Sequence, residues 1–288
     1  MTTAPIVVGV DGSPAGLRAF DLAVREAELR HRPLRLVHAD TRSAHPAWVD
    51  VAPSGPVAGR LDTEPRRALR EAIDRTAATS SVPATEAVVV GTPTSVLVRE
   101  SREAALVVVG HRGRDGTAGR ALGSVARNVA THAHCPVLIA REVVDATGYV
   151  LVGVHGSARS DAAMGFAFEA AALYGAELLA LHTWTDPAST GRGDMLPLVY
   201  DPDEVAAQEA RVLAEALAGW QTKYPDVVAH RRVIRGRAGP VLVEASARSR
   251  LVVVGAHGHR AGAGWLLGST THLVVHQARC PVAVVHAD

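Results

Sequence analysis

Short apolar runs and longer amphipathic stretches alternate along the chain. In the first half, residues 6–10, 34–37, 85–90, 106–109 and 137–140 are short, mainly apolar runs rich in valine. Runs of that length and composition predict parallel strands covered on both faces. Between the first two, Leu17, Phe20, Val24 and Ala27 fall on one helical face, and Leu69, Ile73 and Ala77 mark another before the third. The second half repeats the pattern with runs at 150–154, 178–181, 227–234, 251–254 and 282–285. Its second helix carries Val205, Val212, Leu213, Leu217 and Trp220 on one side. Strands alternating with helices predict an α/β fold, a parallel sheet with helices on both faces. Ligands of such sheets bind beyond the carboxyl ends of the strands, where the strand order reverses.

The two halves are copies. Residues 106–140 read LVVVGHRGRDGTAGRALGSVARNVATHAHCPVLIA, and residues 251–285 read LVVVGAHGHRAGAGWLLGSTTHLVVHQARCPVAVV. The opening IVVGVDGS at 6–13 matches VLVGVHGS at 150–157. A period of half the chain is far longer than a solenoid repeat, so each copy is expected to be a complete domain. The expected domains are 1–141 and 149–288, joined by a short polar linker at 142–148. Each copy has a long polar connection after its second strand, at 41–59 and 185–202. Connections of that length usually act as lids or contact surfaces, or stay disordered.

Composition removes several classes of function. Thirty basic residues face 29 acidic ones, and both halves are balanced, so neither is a basic module for nucleic acid. Only Lys223 is a lysine, and no glycine-rich motif precedes it. That excludes a Walker phosphate loop and disfavours Schiff-base chemistry. Cys135 and Cys280 are too few for a disulfide framework or a cysteine zinc site. No apolar run reaches about 18 residues, so no membrane span is expected. Without a basic or apolar leader at the N-terminus, the chain reads as cytoplasmic.

The chemistry concentrates in two glycine-rich loops. The strand at 106–109 runs into Gly110-His111-Arg112-Gly113, and nine residues later Gly123-Ser124 open a helix. The second copy has Gly255-Ala256-His257-Gly258, nine residues, then Gly268-Ser269. Glycines let the backbone approach a ligand closely. A helix start offers free N–H groups and a favourable dipole to an anion, and a serine there is read as its cap. Arg112, Arg114 and Arg120 could supply the charge a lysine would have given. The alternative is an ordinary turn and cap; the same spacing in both copies favours phosphate binding.

The VVGVDGS opening, the G-2x-G-9x-G-S loop and the closing Cys-Pro-Val strand resemble the universal stress protein family in its tandem form. The resemblance implies two Rossmann-like (adenine nucleotide alpha hydrolase-like) domains, each a five-stranded parallel sheet of order 3-2-1-4-5. It also implies ATP, with Mg2+. Carried over residue by residue, it puts Gly9 and Asp11 at the adenosine end and Val37 and His38 beside the adenine. Gly110, Arg112, Gly113, Gly123, Ser124 and Val125 would hold ribose and phosphates. The second copy offers Gly153, Gly255, His257, Gly258, Gly268, Ser269 and Thr270, with His155 where the family pattern has aspartate. A carboxylate only accepts hydrogen bonds, whereas a neutral imidazole accepts at one nitrogen and donates at the other. Tighter binding is therefore expected in the first copy. The family also implies pairing of domains through their last strands, and it allows a homodimer.

Several residues carry a second reading. Asp11 could cap the following helix or orient Ser13. His111, His257 and His259 suit phosphate contact or plain exposure better than metal, and His132 and His134 do not face one another on a helix. Cys135 and Cys280 read as buried inert thiols, close enough to oxidise only if the last strands pair. Ser124 and Ser269 lack the G-x-S-x-G setting of a nucleophile. Trp48, Trp184 and Trp265 fall in or beside loops. Asp115 is the one carboxylate in the glycine loops, which leaves little for general-base catalysis. Three functions follow: a nucleotide-dependent regulator of stress response or growth with an unknown protein partner, a slow ATPase, and a scaffold without ligand.

Overall fold

A computed structural model describes residues 3–41, 74, 80–113, 122–142, 145, 147–156, 160–185, 201–257 and 267–287. The chain divides into two compact units, Met1–Arg141 and Glu142–Asp288. In unit 1 the elements are β1 (Ile6–Gly9), α1 (Pro14–Leu29), β2 (Leu34–Asp40), β3 (Ala84–Val90), α2 (Pro93–Glu100), β4 (Leu106–Gly110), α3 (Ser124–His132) and β5 (Val137–Ala140). Unit 2 holds β6 (Tyr149–Val154), α4 (Ser160–Tyr174), β7 (Leu178–Trp184), α5 (Pro202–Lys223) and β8 (Ala229–Arg235). It continues with α6 (Ala238–Ala245), a 3-10 turn (Ser246–Arg248), β9 (Ser249–Gly255), α7 (Ser269–Gln277) and β10 (Val282–Val285). The helix expected around Leu69, Ile73 and Ala77 lies outside the described residues.

All strands of unit 1 pair in parallel in the order β3-β2-β1-β4-β5. Those of unit 2 pair in parallel in the order β8-β7-β6-β9-β10. This is the 3-2-1-4-5 sheet that the family resemblance implies, once in each unit. The strand order reverses at β1 and β6, so the ends of β1, β2 and β4, and of β6, β7 and β9, are where a ligand is expected.

The valine-rich runs form most of the core. β4, β5 and β10 are buried except for the glycine that ends β4. β3 and β8 depart from the expectation of burial on both faces. Val88 and Val90 are 44% and 56% exposed, and β8 buries none of its seven residues. Each ends the sheet of its own unit and pairs on one side only, where a solvated face is ordinary.

Helix α1 also departs from its expected face. Leu17 is 37% exposed, and the buried side is Ala15, Gly16, Ala19, Phe20, Ala23, Glu26 and Ala27. Small residues on this side let the helix backbone come down onto the strands, and a leucine there would hold it off. Its start is well capped: the Ser13 hydroxyl accepts the Gly16 N–H at 3.0 Å, and Pro14 takes the first helical position. In α5, Leu213 and Leu217 are buried, while Val205, Val212 and Trp220 are half-buried. Trp220 stacks on Phe168 and Tyr224 and donates to Asp161 at 2.7 Å.

Candidate functional site

In unit 1 the turn after β1 is built by its own polar groups. Val10 continues the ladder, its N–H donating to the Val37 carbonyl at 3.0 Å. The His38 Nδ1–H donates to the Val10 carbonyl at 2.8 Å, so Val37 and His38 join the ends of β1 and β2. Gly12 takes φ of 77°, a region glycine enters without cost. The Ser13 N–H donates to Asp11 Oδ1 at 2.9 Å. One oxygen of Asp11 thus orients Ser13. The other turns toward the glycine loop: a β-carbon on Gly113 would lie 3.1 Å from Asp11 Oδ2. The fold brings Asp11 and Gly113 together from positions about a hundred residues apart.

The glycine loop closes on itself. The Gly123 N–H donates to the His111 carbonyl at 2.8 Å, and the Gly123 carbonyl accepts the Arg127 N–H at 3.0 Å. Gly123 is therefore the helix cap, with φ −66° and ψ 154°, and as a glycine it supplies no side-chain cap. This corrects the expected role of Ser124. It is the first helical residue and exposed, because the cap position needs extended backbone and falls one residue earlier. The first-turn N–H groups around Val125 lack a side-chain cap, an arrangement suited to an anion. Arg112 is half-buried and Gly113 exposed. Arg114, Asp115 and Arg120 lie outside the described residues.

Three of the proposed glycines have packing duties. A β-carbon on Gly9 would lie 2.9 Å from Leu97 Cδ1, and one on Gly153 the same distance from Leu242 Cδ1. A β-carbon on Gly110 would lie 2.7 Å from the backbone carbon and oxygen of Ala15, so α1 rests directly on the end of β4.

His111 is half-buried rather than exposed. Burial, then the positive charges of Arg141, Arg112 and Arg18, lower its pKa to about 4. Its ring is neutral near pH 7. Burial pushes the Cys135 thiol the other way, up to about 12, and Cys280 is buried as well. The raised pKa leaves the Cys135 thiol inert. Among the described residues no three of His, Cys, Asp and Glu gather as a metal site.

Unit 2 repeats the frame with different contents. The Gly268 N–H donates to the Ala256 carbonyl at 3.0 Å, and Gly268 caps α7 without a side chain. Ser269 is exposed, and Thr270 and His257 are half-buried. Gly258 and His259 lie outside the described residues. Thr271, which the sequence did not single out, donates its hydroxyl to the Gly255 carbonyl at 2.6 Å. At the β6 end His155 replaces Asp11, and its N–H donates to the Ser160 hydroxyl at 3.4 Å. Here α5 comes close: a β-carbon on Gly156 would lie 2.7 Å from Val212 Cγ1. His182 repeats His38, with Nδ1 2.8 Å from the Val154 carbonyl, and its Nε2 lies 2.9 Å from Glu209 of α5. The sequence singled out neither His182 nor Glu209; the match of His182 to His38 at the repeat offset is a signal for the first, and no spacing marks the second.

Trp184 is buried at the end of β7, with the Arg235 guanidinium 5.7 Å from its ring. Trp48 and Trp265 lie outside the described residues. So do nearly all of the connections at 41–59 and 185–202.

Comparison with known proteins bears on the same residues. The model of the universal stress protein family matches twice, at residues 3–141 and 148–286. Universal stress protein Rv2623 of Mycobacterium tuberculosis is 37% identical over 290 residues, covering 97% of this chain and 95% of its own. Universal stress protein Rv1996 of the same organism is 33% identical over 303 residues, covering 98% and 95%. The crystal structure of a universal stress protein from Archaeoglobus fulgidus superposes with a TM-score of 0.70 at 17% identity, covering 99% of both chains, a likeness of fold.

Proposed function

The chain belongs to the universal stress protein family, and from that premise we propose that it binds ATP and acts as a nucleotide-dependent regulator of stress response or growth. One observation carries the reading. In unit 1 the Asp11 carboxylate, the Gly113 backbone and a helix start without a side-chain cap converge where β1 and β4 end. Acceptor, close-approach backbone and anion-binding N–H groups are the three things a nucleotide needs from protein. Asp11 Oδ2 would accept from the adenosine end, Val37 and His38 would border the base, and Gly110, Arg112, Gly123, Ser124 and Val125 would cradle the phosphates. Mg2+ would neutralise charge on the phosphates, which would carry most of its ligands.

The output in this reading is a change in binding to a protein partner, not a released product. The reading also includes a cytoplasmic location, where the two buried thiols stay reduced, and it allows a homodimer. No helix among the described residues is long and apolar enough to cross a membrane.

The test starts from protein purified from cells, denatured, with released nucleotide identified by chromatography, and then follows added ATP for hours. Retained ATP that persists is the expected result. Conversion to ADP would assign a slow ATPase, and no nucleotide before or after soaking would leave a scaffold. Asp11→Ala should weaken ATP binding at least tenfold by calorimetry, about 1.4 kcal/mol. Unchanged affinity would remove Asp11 from the site.

A further inference from the structure

A second cluster lies beside the glycine loop of unit 1. The last register pair of β4 and β5 is Gly110 with Ala140. The next residues, His111 and Arg141, therefore leave the sheet side by side, and the His111 N–H still donates to the Ala140 carbonyl at 3.3 Å. Helix α1 descends on this corner through Ala15, which touches Gly110. Arg18 stands three residues further, on the same side of the helix. Three guanidinium groups, those of Arg141, Arg112 and Arg18, act on the His111 ring. Among the described residues Arg18 Nε is buried without a hydrogen bond, and the partly buried His111 ring has only the Ala140 carbonyl as a polar partner. A buried donor left unmade costs about 1–3 kcal/mol, so a fold that keeps one beside like charges has a reason to be filled.

The second unit lacks the cluster. At the matched positions it has Ala162 for Arg18, Ala256 for His111 and His286 for Arg141. The fold therefore does not require these side chains, and unit 2 forms the same strand ends without them. What remains is the chemistry they share: two fixed cations and a neutral imidazole able to donate, next to N–H groups already suited to an anion. Arginine matches phosphate oxygens in a fork that alanine cannot replace.

We propose that Arg18, His111 and Arg141 form a phosphoryl subsite that takes the outermost phosphate of a polyphosphate chain whose inner part lies on the glycine loop. The inference rests on the nucleotide reading for the identity of the chain, but the subsite itself answers to any pyrophosphate-like anion. It gives the first unit a preference for triphosphate over monophosphate that the second cannot have.

The experiment is calorimetry of ATP and AMP on the full chain and on Arg18→Ala and Arg141→His. Both variants install residues that unit 2 already carries in the same places, so folding is retained, and a thermal melt checks it. ATP affinity should fall at least tenfold in each variant, with AMP affinity changing less than twofold. Equal loss for both ligands, or loss for neither, overturns the subsite. Pyrophosphate alone is then titrated onto the wild-type chain and the His111 ring followed by NMR. A saturable shift, with the His111 midpoint rising from about 4, supports the subsite even if ATP fails to bind, in which case only the nucleotide reading falls. A silent His111 overturns the proposal whatever ATP does.

Discussion

Gly110 and Gly255 end matched strands of the repeat, yet they meet different surroundings. A β-carbon on Gly110 would run into the Ala15 backbone at 2.7 Å, whereas among the described residues one on Gly255 would meet the His257 carbonyl oxygen alone, at 3.5 Å. Backbone cannot swing aside as a flexible side chain can, so Gly110→Ala should destabilise unit 1 by about 1–3 kcal/mol. Gly255→Ala stays within ordinary contact and has no positive φ to forbid it. It should be neutral or stabilise by up to about 1 kcal/mol through the unfolded chain. Denaturant unfolding of the two variants checks this, and equal losses would show that packing under α1 is not what Gly110 serves. The spacing pattern marks both glycines alike as phosphate ligands. It cannot register α1, because the contact joins residues far apart in sequence and depends on the alanines and glycine that replace leucine on the buried side of that helix.

At the scale of elements, α5 stands over the end of β6 and β7. Val212 packs against Gly156, and Glu209 meets His182 Nε2 at 2.9 Å. The Val154 carbonyl fixes a proton on His182 Nδ1, so Nε2 can pair with a carboxylate only through a second proton, whereas an amide can donate to its lone pair. Glu209→Ala takes the carboxylate partner from Nε2 of the buried imidazole and should cost unit 2 about 1–3 kcal/mol, while Glu209→Gln should cost less than about 1 kcal/mol. Thermal melts rank the two, and a glutamine variant as damaged as the alanine one would deny the hydrogen bond. Helix and strand positions were largely legible from apolar periodicity. Burial was less so: β3 is as valine-rich as β4 in its last residues, yet Val88 and Val90 lie in solvent, because a run of valines marks a strand without marking what covers its faces. The α5 contact was illegible for a related reason. Periodicity identifies Leu213 and Leu217 as the buried side, but it says nothing of which strand end the polar flank of the helix will reach.

For the molecule as a whole, duplication was the most legible feature and divergence between the copies the most informative. Both units keep the strand order, the histidine bonded to the first strand and the side-chain-free helix cap. They differ where a ligand would be read. Unit 1 has Asp11 facing Gly113 and the arginine cluster. Unit 2 has His155, a Gly156 covered by Val212, and alanines in place of Arg18 and His111. An imidazole cannot copy a carboxylate that only accepts, and Val212 stands against the turn where the adenosine end would arrive. The chain should therefore bind ATP at one strong site, in unit 1. Calorimetry should give about one tight site per chain. Gly113→Ala places a methyl 3.1 Å from Asp11 Oδ2 and should weaken that site at least tenfold, about 1.4 kcal/mol. Gly258→Ala should leave it unchanged. Two sites of equal affinity, each lost to its own glycine variant, would mean that the shared frame governs binding and that the substitutions in the second unit are neutral to it.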